Sequence, residues 1–226
     1  MRLPAGLRDG CDGVLELLAP SRCLACRARG PVPWCDDCAE VVRDLPAGCP
    51  RCAAPQGAAH ACWPSDAPIA ATTAVYDYRG PVAAAITTAK IAGAASAWPA
   101  LAARLARRLE GSASPAEVVT YVTTPASRIR ARGFDHAAVL AGSVGEVLGL
   151  PVRRLLQATA DGDRDRYRAR HPLPGTYVLL VDDVLTTGAT AWRAAACLRA
   201  AGADSVELAV LARAGSHPLG AATRRR

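Results

Sequence analysis

The chain has 226 residues, is 51% apolar with only 4% aromatic side chains, and carries a formal charge of +7 at neutral pH. That length and apolar content supply enough area for one ordinary domain with a small appendage, its core built from alanine and aliphatic side chains. No apolar run reaches the roughly 18–20 residues needed to span a bilayer, which excludes insertion through a membrane helix.

The first twenty residues, MRLPAGLRDGCDGVLELLAP, hold leucines but are broken by Asp9, Asp12 and Glu16. They make a poor secretory segment and read as a short amphipathic helix of a cytoplasmic protein. Lys90 is the only lysine, so the basic balance is almost wholly arginine. That bias follows from codon composition as readily as from a nucleic acid or polyphosphate partner.

Eight of the nine cysteines lie in the first 62 residues. Six form Cys-x-x-Cys pairs: Cys23/Cys26, Cys35/Cys38 and Cys49/Cys52. A two-residue gap lets both thiolates of a tight knuckle face one ion, and two knuckles complete a tetrahedral zinc site. With no export signal, a metal framework is favoured over disulfides. Six thiolates overfill one site and underfill two, so His60 and Cys62 are the candidates to complete a second. Sequential pairing and a cross-braced arrangement both satisfy the spacing. Zinc held by four protein ligands is structural, and it supplies folding energy to a segment poor in large apolar residues. Cys11 and Cys197 are isolated and read as structural. The proline-rich stretch 62–68 marks a boundary, giving an N-terminal helix and zinc-binding domain over 1–65, a second domain over 66–215, and a basic tail over 216–226.

Beyond that boundary the pattern alternates. Strands are predicted over 69–78, 117–124, 152–156, 176–183 and 206–211. Helices are predicted over 81–91, 98–109, 134–148 and 189–201, the last ended by Gly202. Residues 161–174 are charged and read as an irregular, mobile loop. The alternation predicts an α/β fold: a mostly parallel sheet with helices on both faces.

VLLVDDVLTTGAT, residues 178–190, is the most informative stretch. In an open parallel sheet, ligands bind beyond the carboxyl ends of the strands. Asp182 and Asp183 stand at such an end. The turn that follows opens a helix, whose unpaired N–H groups and dipole make an anion site. Thr186, Thr187 and Thr190 add hydroxyls, and Gly188 allows close approach of the backbone to a phosphate. Carboxylates for hydroxyls beside a loop for phosphate match a ribose 5-phosphate. The plainer alternative is a strand whose aspartates only cap the next helix.

This stretch resembles the 5-phosphoribosyl-1-pyrophosphate (PRPP) binding motif of type I phosphoribosyltransferases, over roughly residues 69–214. With the cysteine knuckles, Tyr76-Asp77-Tyr78-Arg79-Gly80, Ala89-Lys90-Ile91 and Arg132-Gly133-Phe134, nearly the whole chain is similar to the ComF competence family. The resemblance implies a type I phosphoribosyltransferase-like domain preceded by a small cysteine-rich zinc domain. It implies attack of a nucleophile on C1 of PRPP, with pyrophosphate leaving and Mg²⁺ bound. By analogy Asp182 and Asp183 hold the ribose, directly or through hydrated Mg²⁺, and with Arg132 form the catalytic set. Thr186, Thr187, Gly188, Ala189 and Thr190 hold the 5-phosphate. The loop 123–127, with Thr124, contacts the pyrophosphate, and Lys90, Arg128, Arg130 and Arg132 are the candidates to neutralise it.

The chain departs from that family where it reads Val122-Thr123-Thr124-Pro125 for Val-Pro-Val-Pro, and Phe134-Asp135-His136 for Phe-Asn-Gln. Thr186 stands where purine-type enzymes place an acidic residue, so no general base is evident. His136 is a candidate, although a histidine at a helix start is more often structural. Phe134 and Tyr167 are candidates to stack on an acceptor. Three readings follow: a PRPP-binding phosphoribosyltransferase-type protein linked to DNA uptake and natural competence; a non-catalytic module that binds single-stranded DNA or competence proteins and has a regulatory PRPP site; and a PRPP-dependent protein of nucleotide metabolism.

Overall fold

The computed structural model describes residues 20–57, 60, 62–91, 97–112, 114–159 and 167–215. The amphipathic helix expected near the N-terminus and the basic tail over 216–226 lie outside the described residues. A short helix, α1 (Asp36–Val41), follows Cys35 and carries Cys38. Then come β1 (Ala71–Asp77), α2 (Gly80–Ile91), α3 (Trp98–Glu110) and β2 (Val118–Tyr121). Next are α4 (Ala126–Arg132), α5 (His136–Leu148), and the short strands β3 (Leu156–Ala158) and β4 (Tyr167–Ala169). The chain continues through β5 (Tyr177–Leu185), α6 (Ala189–Ala200) and β6 (Ser205–Arg213).

The main sheet has the order β1-β6-β5-β2, and every pairing in it is parallel. Val152 adds a parallel bridge to Val119 on the outer side of β2, where a short strand over 152–156 was expected. Helices cover both faces. Alternate residues of β5 show this: Val178 and Leu180 pack toward α6, whereas Leu179 and Val181 pack toward α3 and α5. A strand buried on both faces must be apolar at successive positions, which is why this stretch lacks polar alternation.

Three expectations are corrected. The strand expected over 117–124 ends at Tyr121. The loop expected over 123–127 gives way at Ala126 to a helix, α4, which continues through the arginine-rich segment. The helix begins behind Pro125 and ends at Gly133, which has φ +84°. Within the segment expected to be irregular, Tyr167–Ala169 is β4, paired antiparallel with β3.

The cysteine segment runs along the free edge of β1. Asp44 bridges to Tyr76 in antiparallel sense, and Thr72 N–H donates to Pro50 O at 2.9 Å. An open strand edge is thereby covered by the chain's own backbone. Trp34 meets Tyr76 edge-on with ring centroids 5.3 Å apart. On the opposite face Cys52, Ala54 and Trp63 join the core beneath α6.

Candidate functional site

A cavity of about 310 Å³ opens at the carboxyl ends of β2 and β5. Of the residues singled out from sequence, Lys90, Thr124, Arg128, Asp182, Asp183 and the loop from Thr186 to Thr190 all line it. Arg132 ends α4, and its side chain lies outside the described part of the structure. Tyr78, His136 and Tyr167 also line the cavity. Tyr78 was not assigned to a site from sequence; its signal was its place just beyond the carboxyl end of β1.

The two carboxylates lie within β5, which continues to Leu185 rather than ending at Asp183. Asp183 follows Leu179 and Val181 in the strand's two-residue alternation and so turns toward α2 and α5. There it forms an ion pair with the Lys90 ammonium from α2. His136 at the start of α5 places Nε2 3.4 Å from the same carboxylate oxygen. Trp98 lies against the imidazole at 5.1 Å between ring centroids. The Asp183 side chain is only 8% exposed. Burial acts to raise its pKa, but the His136 hydrogen bond and the Lys90 charge outweigh it, holding the carboxyl well below the usual carboxylate range. Asp182, half-buried, behaves in the opposite way. Burial first, then the neighbouring Asp183 charge, push its carboxyl well above that range.

The loop after β5 turns at Gly188, which adopts the left-handed conformation with φ +74° directly before α6. A residue other than glycine is strained there. Thr186 and Thr187 are exposed, and Thr187 Oγ1 accepts from Ala189 N–H at 3.5 Å. The first intrahelical bond runs from Trp192 N–H to Gly188 O at 2.8 Å. The N–H groups ahead of it belong to the anion-attracting end of the helix.

Across the cavity, Thr124 Oγ1 donates to Asp135 Oδ1 at 3.1 Å, and the same oxygen accepts from Ala137 N–H at 3.2 Å. Asp135 therefore caps α5 while steadying the loop that carries Thr124. Thr123 Oγ1 is buried here and has no hydrogen-bond partner among the described residues. Arg128 and Arg130 are exposed on α4.

The cysteines gather into two groups. Ligand atoms of Cys23, Cys26, Cys35 and Cys38 lie within 4.8 Å of one another, as do those of Cys49, Cys52, His60 and Cys62. Sulfurs bound to one tetrahedral zinc at about 2.3 Å stand roughly 3.8 Å apart. Here Cys26 and Cys35 are 3.5 Å apart and Cys49 and Cys62 are 3.7 Å apart. Those distances fit a shared ion and exceed a disulfide bond of about 2.05 Å. The grouping is sequential. For Cys23, burial opposes ionisation, yet backbone donors bring its pKa to about 6; for Cys49, burial is outweighed by His60 and backbone donors, also to about 6. Burial and neighbouring thiols push Cys38 and Cys52 up to about 12. Crowded thiols divide in this way when one ionises and its neighbours keep their protons. Four thiols in the first group, and three thiols with an imidazole in the second, fit structural zinc, which would hold all the thiols as thiolates.

Comparison with known proteins places these features in context. The phosphoribosyl transferase domain family matches residues 99–220. The DNA utilization protein YhgH of Salmonella typhi is 28% identical over 226 aligned residues, covering 87% of this chain and 99% of that protein. An adenine phosphoribosyltransferase of Chlorobium phaeovibrioides is 36% identical over 94 residues, covering 37% of this chain and 52% of that enzyme. Among solved structures, the glutamine PRPP amidotransferase of B. subtilis is 27% identical with a TM-score of 0.39, covering 50% of this chain and 26% of that one.

Proposed function

Because this chain belongs to the phosphoribosyl transferase domain family, in a ComF-like order with cysteine clusters ahead of the domain, we propose that its cavity binds PRPP. The observation that carries this reading is one cavity in which strand-end carboxylates face a glycine-turned helix start, with Lys90 between the elements. Asp182 and Asp183 accept the ribose hydroxyls, and the loop from Thr186 to Thr190 takes the 5-phosphate. Lys90 and Arg128, which line the cavity, neutralise the pyrophosphate, and Arg132 remains the further candidate for that role from the sequence. Mg²⁺, held through Asp182 and Asp183, would supply further neutralisation of the leaving pyrophosphate. Lys90 is already committed to Asp183, so pyrophosphate shares that ammonium with the carboxylate. His136 likewise serves as a partner of Asp183, which supports a structural rather than a proton-transfer role. The two cysteine groups hold structural zinc.

A DNA-linked role in the cytoplasm, in uptake or competence, is favoured by the Salmonella relatives described as DNA utilization proteins, and the +7 charge is compatible with it. Among the described residues no helix is long and apolar enough to cross a membrane.

The test is calorimetric titration of the zinc-loaded protein with PRPP and Mg²⁺, with pyrophosphate release followed in the same samples. Binding with release supports a transferase, and binding without release a regulatory site. No binding at millimolar PRPP overturns the reading. If single-stranded DNA binds with a steep salt dependence, the DNA-linked role gains support; if it does not bind, the role loses its direct form.

A further inference from the structure

The loop assigned to phosphate rests on a side chain from the cysteine segment. A Cβ placed on Gly188 would lie 2.2 Å from Cη2 and 2.7 Å from Cζ3 of Trp63. Trp63 is 2% exposed. Its ring also lies 6.0 Å from that of Trp192, tilted by 45°, in the first turn of α6. One indole therefore supports both the turn at Gly188 and the helix start behind it. The loop's hydrogen bonds among the described residues are local, from Trp192 N–H to Gly188 O at 2.8 Å and from Ala189 N–H to Thr187 Oγ1 at 3.5 Å. Gly188 provides no side-chain cap, and Thr186 and Thr187 are exposed.

Trp63 is itself fixed by the second cysteine group. It follows Cys62 directly. Its Nε1–H donates to Thr72 Oγ1 at 3.1 Å, and Thr72 Oγ1–H donates to Arg51 O at 2.7 Å. Arg51, between Cys49 and Cys52, reaches back with Nη2 to Pro64 O at 2.8 Å. From β6, buried Arg213 donates through Nε to Cys52 O at 2.8 Å. Knuckle, indole and sheet thus form one connected unit.

We propose that Trp63 is a positioning residue that transmits the order of the Cys49/Cys52/His60/Cys62 group to the loop from Thr186 to Thr190. It holds that loop in the conformation that receives a sugar 5-phosphate. The proposal rests on the sugar-phosphate reading of the cavity. The coupling is reciprocal: a phosphate ligand in the loop stabilises the second cysteine group against metal loss.

The test uses the full zinc-loaded chain and the variants Trp63→Phe and Trp63→Ala. Hydrogen exchange of residues 186–192 is measured without ligand. Ribose 5-phosphate and Mg²⁺-pyrophosphate are then titrated separately. Trp63→Ala should speed exchange in the loop and weaken ribose 5-phosphate by about tenfold, while pyrophosphate affinity stays near the parent's. Trp63→Phe, which keeps a ring under Gly188, should restore most of both. Unchanged exchange, or equal loss for the two ligands, overturns the proposal. If Trp63→Ala loses zinc or unfolds, Trp63→Phe decides, by a smaller loss confined to the same loop and the same ligand. If the parent binds neither ligand, the sugar-phosphate reading fails by itself. The exchange data then decide whether Trp63 holds the loop.

Discussion

Replacing Lys90 with methionine tests the centre of the site without changing its shape. Methionine keeps most of the apolar stem and removes the ammonium that faces Asp183. Removing one partner of a buried ion pair costs about 3–5 kcal/mol, because the remaining charge is left uncompensated. Two features reduce that figure. His136 stays 3.4 Å from the same oxygen, and the Lys90 side chain is 26% exposed, so part of the pair is already screened. A loss of about 2–3 kcal/mol is expected on those grounds. Urea unfolding followed by circular dichroism should show a midpoint lower by about 1 M with an unchanged slope. Adding Asp183→Asn to Lys90→Met removes the stranded charge and should recover at least half of the loss. A Lys90→Met midpoint indistinguishable from the parent's, or a double variant no better than the single, would refute the buried pair.

The same pair fixes the sign of a pH effect. Asp183 is held below the usual carboxylate range, so it adds stability above the unfolded-state value. That stability is lost as pH falls through the lower folded value. Without Lys90, Asp183 takes up its proton at higher pH. The difference between parent and Lys90→Met should be full at pH 7 and shrink as pH falls below about 4.

Other outcomes follow from the packing. Leu180→Ala, fully buried in β5 beneath α6, should cost about 2–5 kcal/mol in thermal or urea unfolding; a loss under about 1 kcal/mol would contradict its burial. Elemental analysis should find two zinc ions per chain, one for each four-ligand group, and a folded chain carrying none would remove the metal assignment. Arg213→Met leaves the carbonyls of Cys52, Ala214 and Gly215 without their donor. It should destabilise the protein by about 1–3 kcal/mol, and an unchanged unfolding midpoint would show that the buried guanidinium holds nothing.

Much of this architecture was legible because its signals are local. The apolar run of β5, the threonine- and glycine-rich turn and the two-residue cysteine gaps each announce their geometry within a dozen residues. The elements that escaped depend on distant partners. α4 has one large apolar residue, Ile129, among arginines, and its bounds come from Pro125 and Gly133. β4 is a strand only because β3 pairs with it. Trp63 sits in a proline-rich stretch that reads as a boundary, and nothing local places its ring under Gly188. The partners of Asp183 come from α2 and α5, and no spacing rule links Lys90 and His136 to a strand end.

Adjacency in a strand explains why two aspartates there are not interchangeable. Neighbouring side chains point to opposite faces, so only one of the pair can turn toward α2 and α5. Asp183 takes that place and finds Lys90 and His136. Asp182 has no such partners among its principal influences. Burial and the Asp183 charge act against its ionisation, with only partial relief from a backbone hydrogen bond and Lys90. Its cost to the empty protein grows as pH rises out of the ordinary carboxylate range. The two amide variants should therefore differ in sign at pH 7. Asp182→Asn relieves repulsion and should stabilise the empty protein, whereas Asp183→Asn strands the Lys90 ammonium and should destabilise it. Both should weaken PRPP with Mg²⁺. Unfolding midpoints that moved in the same direction would mean that the strand does not divide the pair. If the midpoints separate as expected and PRPP affinity falls for both, Asp182 is the carboxylate whose charge a bound cation or sugar hydroxyl compensates, and Asp183 is the one the fold compensates itself.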